Sequence, residues 1–128
     1  MLKHKKIALC ILALVLVASL CVPAFASSFT ANYSIPTGSS SAWSGKDSNL
    51  WKFTSTDSAT FQTTRNGCIV TSTLWMVKVW APDQSIISYR VTQSSSNGYF
   101  IPQTSNSYYA VVTPVSNVGV YGTVSAWN

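Results

Sequence analysis

From Ser27 onward the chain holds three carboxylate side chains, Asp47, Asp57 and Asp83, and one thiol, Cys68. It holds no glutamate, and its one histidine, His4, lies near the start. Histidine-based triads therefore lack their general base. Cys68 has no histidine to take its proton, which removes the usual route to an activated thiolate. It is expected as a small buried residue on a strand, with a free or intermolecular thiol as the alternative. Serines and lysines are present, but no spacing singles out a Ser-Lys pair. Glycoside hydrolysis usually takes two carboxylates flanking the scissile bond. The aspartates instead sit in Gly45-Lys46-Asp47-Ser48, Ser55-Thr56-Asp57-Ser58 and Pro82-Asp83, where Asp bonds its own backbone in turns. Zinc lacks ligands. Calcium, which takes several oxygens, would have to combine Asp47 and Asp57 with loop carbonyls, and a solvated turn explains both residues without it. The chain is expected to be no enzyme and to carry no cofactor.

The aromatics are the remaining candidates for chemistry. Trp43, Trp51, Trp75, Trp80 and Trp127 are many tryptophans for such a length. Coplanar exposed rings stack on pyranose faces, while amides and hydroxyls beside them bond the sugar hydroxyls. Trp43 falls in a polar loop and Trp80 at a strand end before a turn. If Trp75, Val77 and Val79 face the core, Met76, Lys78 and Trp80 face outward as a platform or assembly interface. Trp43, Trp80, Met76 and Lys78 are therefore the candidate ligand-binding residues. Trp51, Trp75 and Trp127 are expected in the core or covering a sheet, as strand aromatics usually are.

The elements that would position these residues begin after a leader. Met1 to Lys6 is short and basic, Ile7 to Val22 is a run of 16 apolar and small residues, and Ala24-Phe25-Ala26 has small-x-small form. This reads as a signal peptide over residues 1–26, cleaved after Ala26, with a single domain over 27–128. The run is shorter than the roughly 20 residues of a membrane-spanning helix, and Leu9 and Leu20 before Cys10 and Cys21 do not suit a lipoprotein site. The expected product is extracellular or at the cell surface, of bacterial type, with no transmembrane segment after cleavage. Its five basic and three acidic side chains leave a net charge of +2, scattered along the chain. That is a poor nucleic-acid footprint. With 15 aromatics in residues 27–128, the segment is too apolar to remain disordered.

Period-two alternation runs through nearly all of it. Phe29 to Ile35 alternates cleanly and ends at Pro36. Strands follow around Leu50–Thr54, Ala59–Thr64, Cys68–Trp80 (with a bulge or break expected at Ser72-Thr73), Ile86–Gln93, Tyr99–Gln103, Tyr108–Thr113 and Val118–Trp127. Asn66-Gly67 and Asn97-Gly98 read as tight turns, the first as the strongest hairpin signal. No stretch after the leader has helical periodicity. The fold class is all-β, an antiparallel β-sandwich or jelly roll of about eight or nine strands.

Leu74-Trp75-Met76-Val77-Lys78-Val79 leading to a Pro82 turn, Ser88-Tyr89-Arg90-Val91, Ser107-Tyr108-Tyr109-Ala110-Val111-Val112 and Gly119-Val120-Tyr121-Gly122-Thr123-Val124 resemble, in order and spacing, the bacterial pre-peptidase C-terminal (PPC-like) domains. The resemblance covers about Ser72 to Trp127 and implies a small secreted β-sandwich. That family commonly carries acidic residues, some of them calcium ligands, before and on the strand matching Leu74. Ser72-Thr73 and that strand carry none here. The function expected is a secreted binding module for carbohydrate or cell-wall glycan. The alternatives are a structural or protein-interaction protein, including self-association, and a bacteriocin-like toxin.

Overall fold

The computed structural model describes residues 27–128, so the expected leader and its cleavage site lie outside the described residues. Ten strands follow one another without a helix: β1 (Ser28–Ile35), β2 (Trp43–Ser44), β3 (Trp51–Lys52), β4 (Ala59–Thr64), β5 (Asn66–Gly67), β6 (Val70–Met76), β7 (Gln84–Val91), β8 (Ser95–Phe100), β9 (Ser107–Pro114) and β10 (Val120–Trp127). They form two antiparallel five-stranded sheets. Sheet A runs β1-β10-β4-β8, with β5 also on β10; sheet B runs β2-β9-β6-β7, with β3 also on β9.

The pairings disclose how the chain is wound. β1 pairs β10, β2 and β3 pair β9, β4 pairs β8 and β6 pairs β7. The first half of the chain is thus antiparallel to the second throughout, like one long hairpin rolled into two layers. That is the jelly-roll winding, and its apex is the segment from Val77 to Asp83. The alternation read in β1, β4 and β10 turns Ala31, Tyr33, Ile35, Phe61, Val124 and Ala126 inward to a core that sheet B completes with Val70, Leu74, Val91, Tyr108 and Val112. Phe53 anchors one end of it, edge-to-face against Phe29, Phe100 and Tyr108 at 5.3–5.5 Å. Such contacts add to the area the rings bury.

The strand after Cys68 departs from expectation. It is continuous through Ser72-Thr73, and its inward residues are Val70, Ser72, Leu74 and Met76. Met76 is buried, at 3% exposure, and Trp75 lies on the outer side. The phase is reversed because the core accepts a polar residue. Ser72 Oγ and Thr63 Oγ1 lie 2.6 Å apart across the two sheets, and Tyr89 Oη bonds both Thr63 Oγ1 (3.2 Å) and the Phe61 carbonyl (3.1 Å). Closed this way, the three hydroxyls escape the penalty for unpaired buried polar groups. Burial nevertheless pushes the Tyr89 phenol up to about 12, and that of Tyr33, which donates to the Thr64 carbonyl, equally far.

Neither Asn-Gly pair makes a hairpin turn. Asn66-Gly67 is itself a short strand on β10, at a crossing from sheet A to sheet B. Gly67 takes φ 120° there, and a Cβ would run into the Gly119 carbonyl oxygen. Asn97-Gly98 lies inside β8, and Gly98 leaves space for the Ile87 side chain from the other sheet.

Arg65 locks the end of the sandwich remote from the apex. Its guanidinium donates to the carbonyls of Val91 (2.8 Å), Gly67 (2.6 Å) and Thr92, and its backbone N–H donates to Ser94 O. One side chain thereby ties the end of β4 to the β7–β8 turn. Replacing it with alanine leaves three carbonyls without their charged donor. Arg65→Ala is expected to cost roughly 1–3 kcal/mol in urea unfolding, and Arg65→Lys to recover only part of this, because a single ammonium cannot fork to three acceptors.

Candidate functional site

Charge is unevenly divided between the two layers. None of the strands β1, β4, β8 and β10 of sheet A contains an Asp, Glu, Lys or Arg. From Ser27 on, every charged residue lies in sheet B or in a loop. The outer face of sheet A is instead a field of hydroxyls and amides set in rows by the strand register. One row reads Thr30, Ser125, Gln62 and Asn97; the next reads Asn32, Thr123, Thr64 and Ser95. Thr30 bonds Ser125 at 3.0 Å and Thr64 bonds Thr123 at 2.8 Å, so part of the field is already ordered. Among the described residues the side chains of Gln62 and Asn32 bond no other group, which leaves their amides free toward solvent.

Aromatic rings stand at the ends of this field. The row Ser28, Trp127, Thr60, Tyr99 places Trp127 and Tyr99 on either side of Thr60, with Trp127 38% and Tyr99 70% exposed. Two strand spacings separate them, roughly 9.5 Å. Tyr121, 58% exposed, stands at the other end of β10 and accepts a 2.8 Å bond from Asn66. The ladder fixes the backbone beneath these rings, so their spacing is set before anything binds.

The residues anticipated as ligand-binding come only partly together. Met76, Lys78 and Val79, with Gln103 and Asn106, line a surface hollow of about 300 Å³ beside the apex. Met76 contributes its sulfur from inside, with the Asn106 amide 3.3 Å away; it does not stand in an outward row with Lys78 and Trp80. Trp80 is fully exposed at φ 67°, the one non-glycine residue of positive φ among the described residues. Trp43 is far from this group. It packs beside Tyr33 at 6.1 Å and lines a separate hollow with Ser34, Pro36 and Ser39. Cys68 is half-buried against the core, its sulfur 3.9 Å from the Ser116 carbonyl. Among the described residues no cluster of His, Cys, Asp or Glu could hold a metal, and no helix is long and apolar enough to cross a membrane.

No family model, curated protein or solved structure matches the chain. Trp127 and Tyr99 escaped the reading of the sequence, although a signal for Trp127 was present. With Val124 and Ala126 inward, the alternation of β10 sends Tyr121, Thr123, Ser125 and Trp127 to the same outer face.

The apex is built on Asp83. Its carboxylate accepts from Lys46 Nζ (2.7 Å), Tyr109 Oη (2.9 Å) and the Lys78 backbone N–H (3.2 Å). The Lys46 bond, with those of Lys78 and Tyr109, holds the Asp83 carboxyl below its ordinary range, while the same carboxylate raises Lys46. A depressed carboxyl stabilises the fold above its unfolded pKa, about 3.9, and loses that contribution as pH falls through the lower folded value. The stability gap between wild type and Asp83→Asn should accordingly be present near neutrality and close in acid, as urea midpoints across the acid range would show. Trp80 invites a separate test. A bulky residue in the left-handed region is strained by roughly 1–2 kcal/mol, and this side chain buries nothing that offsets it. Trp80→Gly is expected to raise the unfolding free energy by about 0.5–1 kcal/mol after glycine's extra chain entropy, read as a higher urea midpoint.

Proposed function

We propose that this protein is an exported, non-catalytic module that binds a neutral glycan on the outer face of sheet A. The observation that carries the reading is the row in which Trp127 and Tyr99 flank Thr60 on a face without charge. A pyranose ring has an apolar face of C–H groups and a rim of hydroxyls. Aromatic rings take the first, and the Gln62, Asn97 and Ser125 side chains in the adjoining row supply donors and acceptors for the second. Two strand spacings between the rings suit alternate sugars of an extended chain. A ligand with no charge needs no counter-charge, and an anionic polymer would find no cation on this face.

The scarcity of carboxylates and the lack of histidine from Ser27 on support a binding role over catalysis. The exposed Trp80 and Val79 at the apex favour a second reading, contact with another protein. The polar groups beside that surface, Asp83, Lys46 and Tyr109, are already bonded to one another.

Tryptophan fluorescence, titrated with soluble neutral polysaccharides and their oligomers, tests the proposal. Saturable quenching is expected, weakened roughly tenfold by Trp127→Ala or Tyr99→Ala, the equivalent of about 1.4 kcal/mol for a stacked ring. Trp80→Ala should bind as wild type. Binding that survives the Trp127 and Tyr99 substitutions together would place the site elsewhere.

A further inference from the structure

The four sheet edges differ in how they are guarded. Exposed edges are templates for further pairing, and proteins blunt them with charge, proline, bulges or short strands. The β2–β3 edge is cut into two-residue pieces. The β7 edge carries Arg90 and a register shift opposite Leu74/Trp75. The β8 edge is six residues long and interrupted by Asn97-Gly98, a pair poorly suited to strands. β1 has none of these devices. Its eight residues, SFTANYSI, contain no charge, proline or glycine and pair with β10 in unbroken register. Among the described residues its backbone makes no hydrogen bond except along that ladder.

We infer that β1 pairs antiparallel with β1 of a second copy, joining two sheets A into one ten-stranded sheet about a two-fold axis. The occupant follows from the strand itself. An uncharged edge gives a foreign strand no charge pattern to read, whereas two copies meet without repulsion and satisfy each other's free backbone groups equally. Parity then restricts the register. Ala31, Tyr33 and Ile35 face inward and Thr30, Asn32 and Ser34 outward. Residues directly opposite in a sheet share a face, so the axis passes beside Ala31 or beside Asn32. In the first register Asn32 faces the partner copy's Thr30; in the second it faces its own counterpart. Both registers bring the two outer faces of sheet A to the same side. The pairing does not depend on the glycan reading, but it would double that face on one rigid platform.

Sedimentation velocity over a range of concentration tests the inference on the chain from Ser27 to Asn128. A monomer–dimer equilibrium is expected. Asn32 is exposed and its side chain bonds nothing, so Asn32→Lys and Asn32→Asp should retain the wild-type melting temperature. Each alone should weaken the dimer roughly tenfold through like charges opposite or diagonal to one another. Mixing the two variants should restore association. A protein that remains monomeric at its highest soluble concentration overturns the inference, and so does a dimer indifferent to both substitutions. Glycan titration of the unsubstituted protein at concentrations where it is monomeric reads the other proposal separately.

Discussion

Antiparallel pairings join the first half of the chain to the second along its whole length, and the remaining features follow from what that winding demands. Each strand before the apex must find a partner an increasing distance along the sequence. β6 and β7 are separated only by Val77–Asp83, whereas β1 and β10 lie at opposite ends of the domain. Loop closure costs more as the loop lengthens, though slowly, so β6 with β7 is the cheapest pairing to close. Asp83 secures that turn by accepting from Lys46, Tyr109 and the Lys78 backbone. It thereby reaches beyond the hairpin, to the β2–β3 loop and to β9. Arg65 plays the equivalent part at the far end, where the chain passes between layers and carbonyls would otherwise lack donors.

The same winding explains the separation of charge. Asp83 and Lys46 tie together loops that join strands of sheet B, Arg65 sits where the chain crosses between the sheets, and Lys52 and Arg90 lie on sheet B. Sheet A receives no such crossing ties on its outer side. Its face keeps only groups that neither repel one another nor require counter-ions. Hydroxyls that bond across neighbouring strands, as Thr64 does with Thr123, give the face order without charge. Neutrality and ordered polar groups are properties shared by a glycan platform and an unguarded sheet. The two proposals thus draw on one compositional fact at two places, the face and the edge.

Much of this was legible in the sequence, and the exceptions have physical causes. All-β class and the bounds of β1, β4 and β10 follow from alternation, because each of these strands has one largely apolar and one largely polar side. The phase of β6 was hidden because Ser72 is polar yet buried, and its partners Thr63 and Tyr89 come from other strands. Asn66-Gly67 and Asn97-Gly98 carry the chemistry of tight turns. Tertiary demands took them elsewhere: Gly67 to a close approach with Gly119, Gly98 to make room for Ile87. The platform was the least legible part. Trp127 and Tyr99 are 28 positions apart, and only the register through Thr60 sets them in one row.

A single row of two rings and a few free amides makes a weak site. Stacked aromatics add on the order of 1 kcal/mol each beyond area burial, and association entropy consumes several times that. Weak sites become effective on a polymer when two are held at fixed separation, because the second contact is then intramolecular and avidity can rise by roughly 10²–10⁴. A ten-stranded sheet joined at β1 meets that condition with no linker, since the ladder fixes the spacing and both faces point the same way. Its glycan chains would cross the strands, as the Trp127–Thr60–Tyr99 row does, and so run toward the joint between the two copies. An edge that would be a hazard on an isolated β protein is, in this arrangement, what converts a modest contact into retention on a polymeric surface.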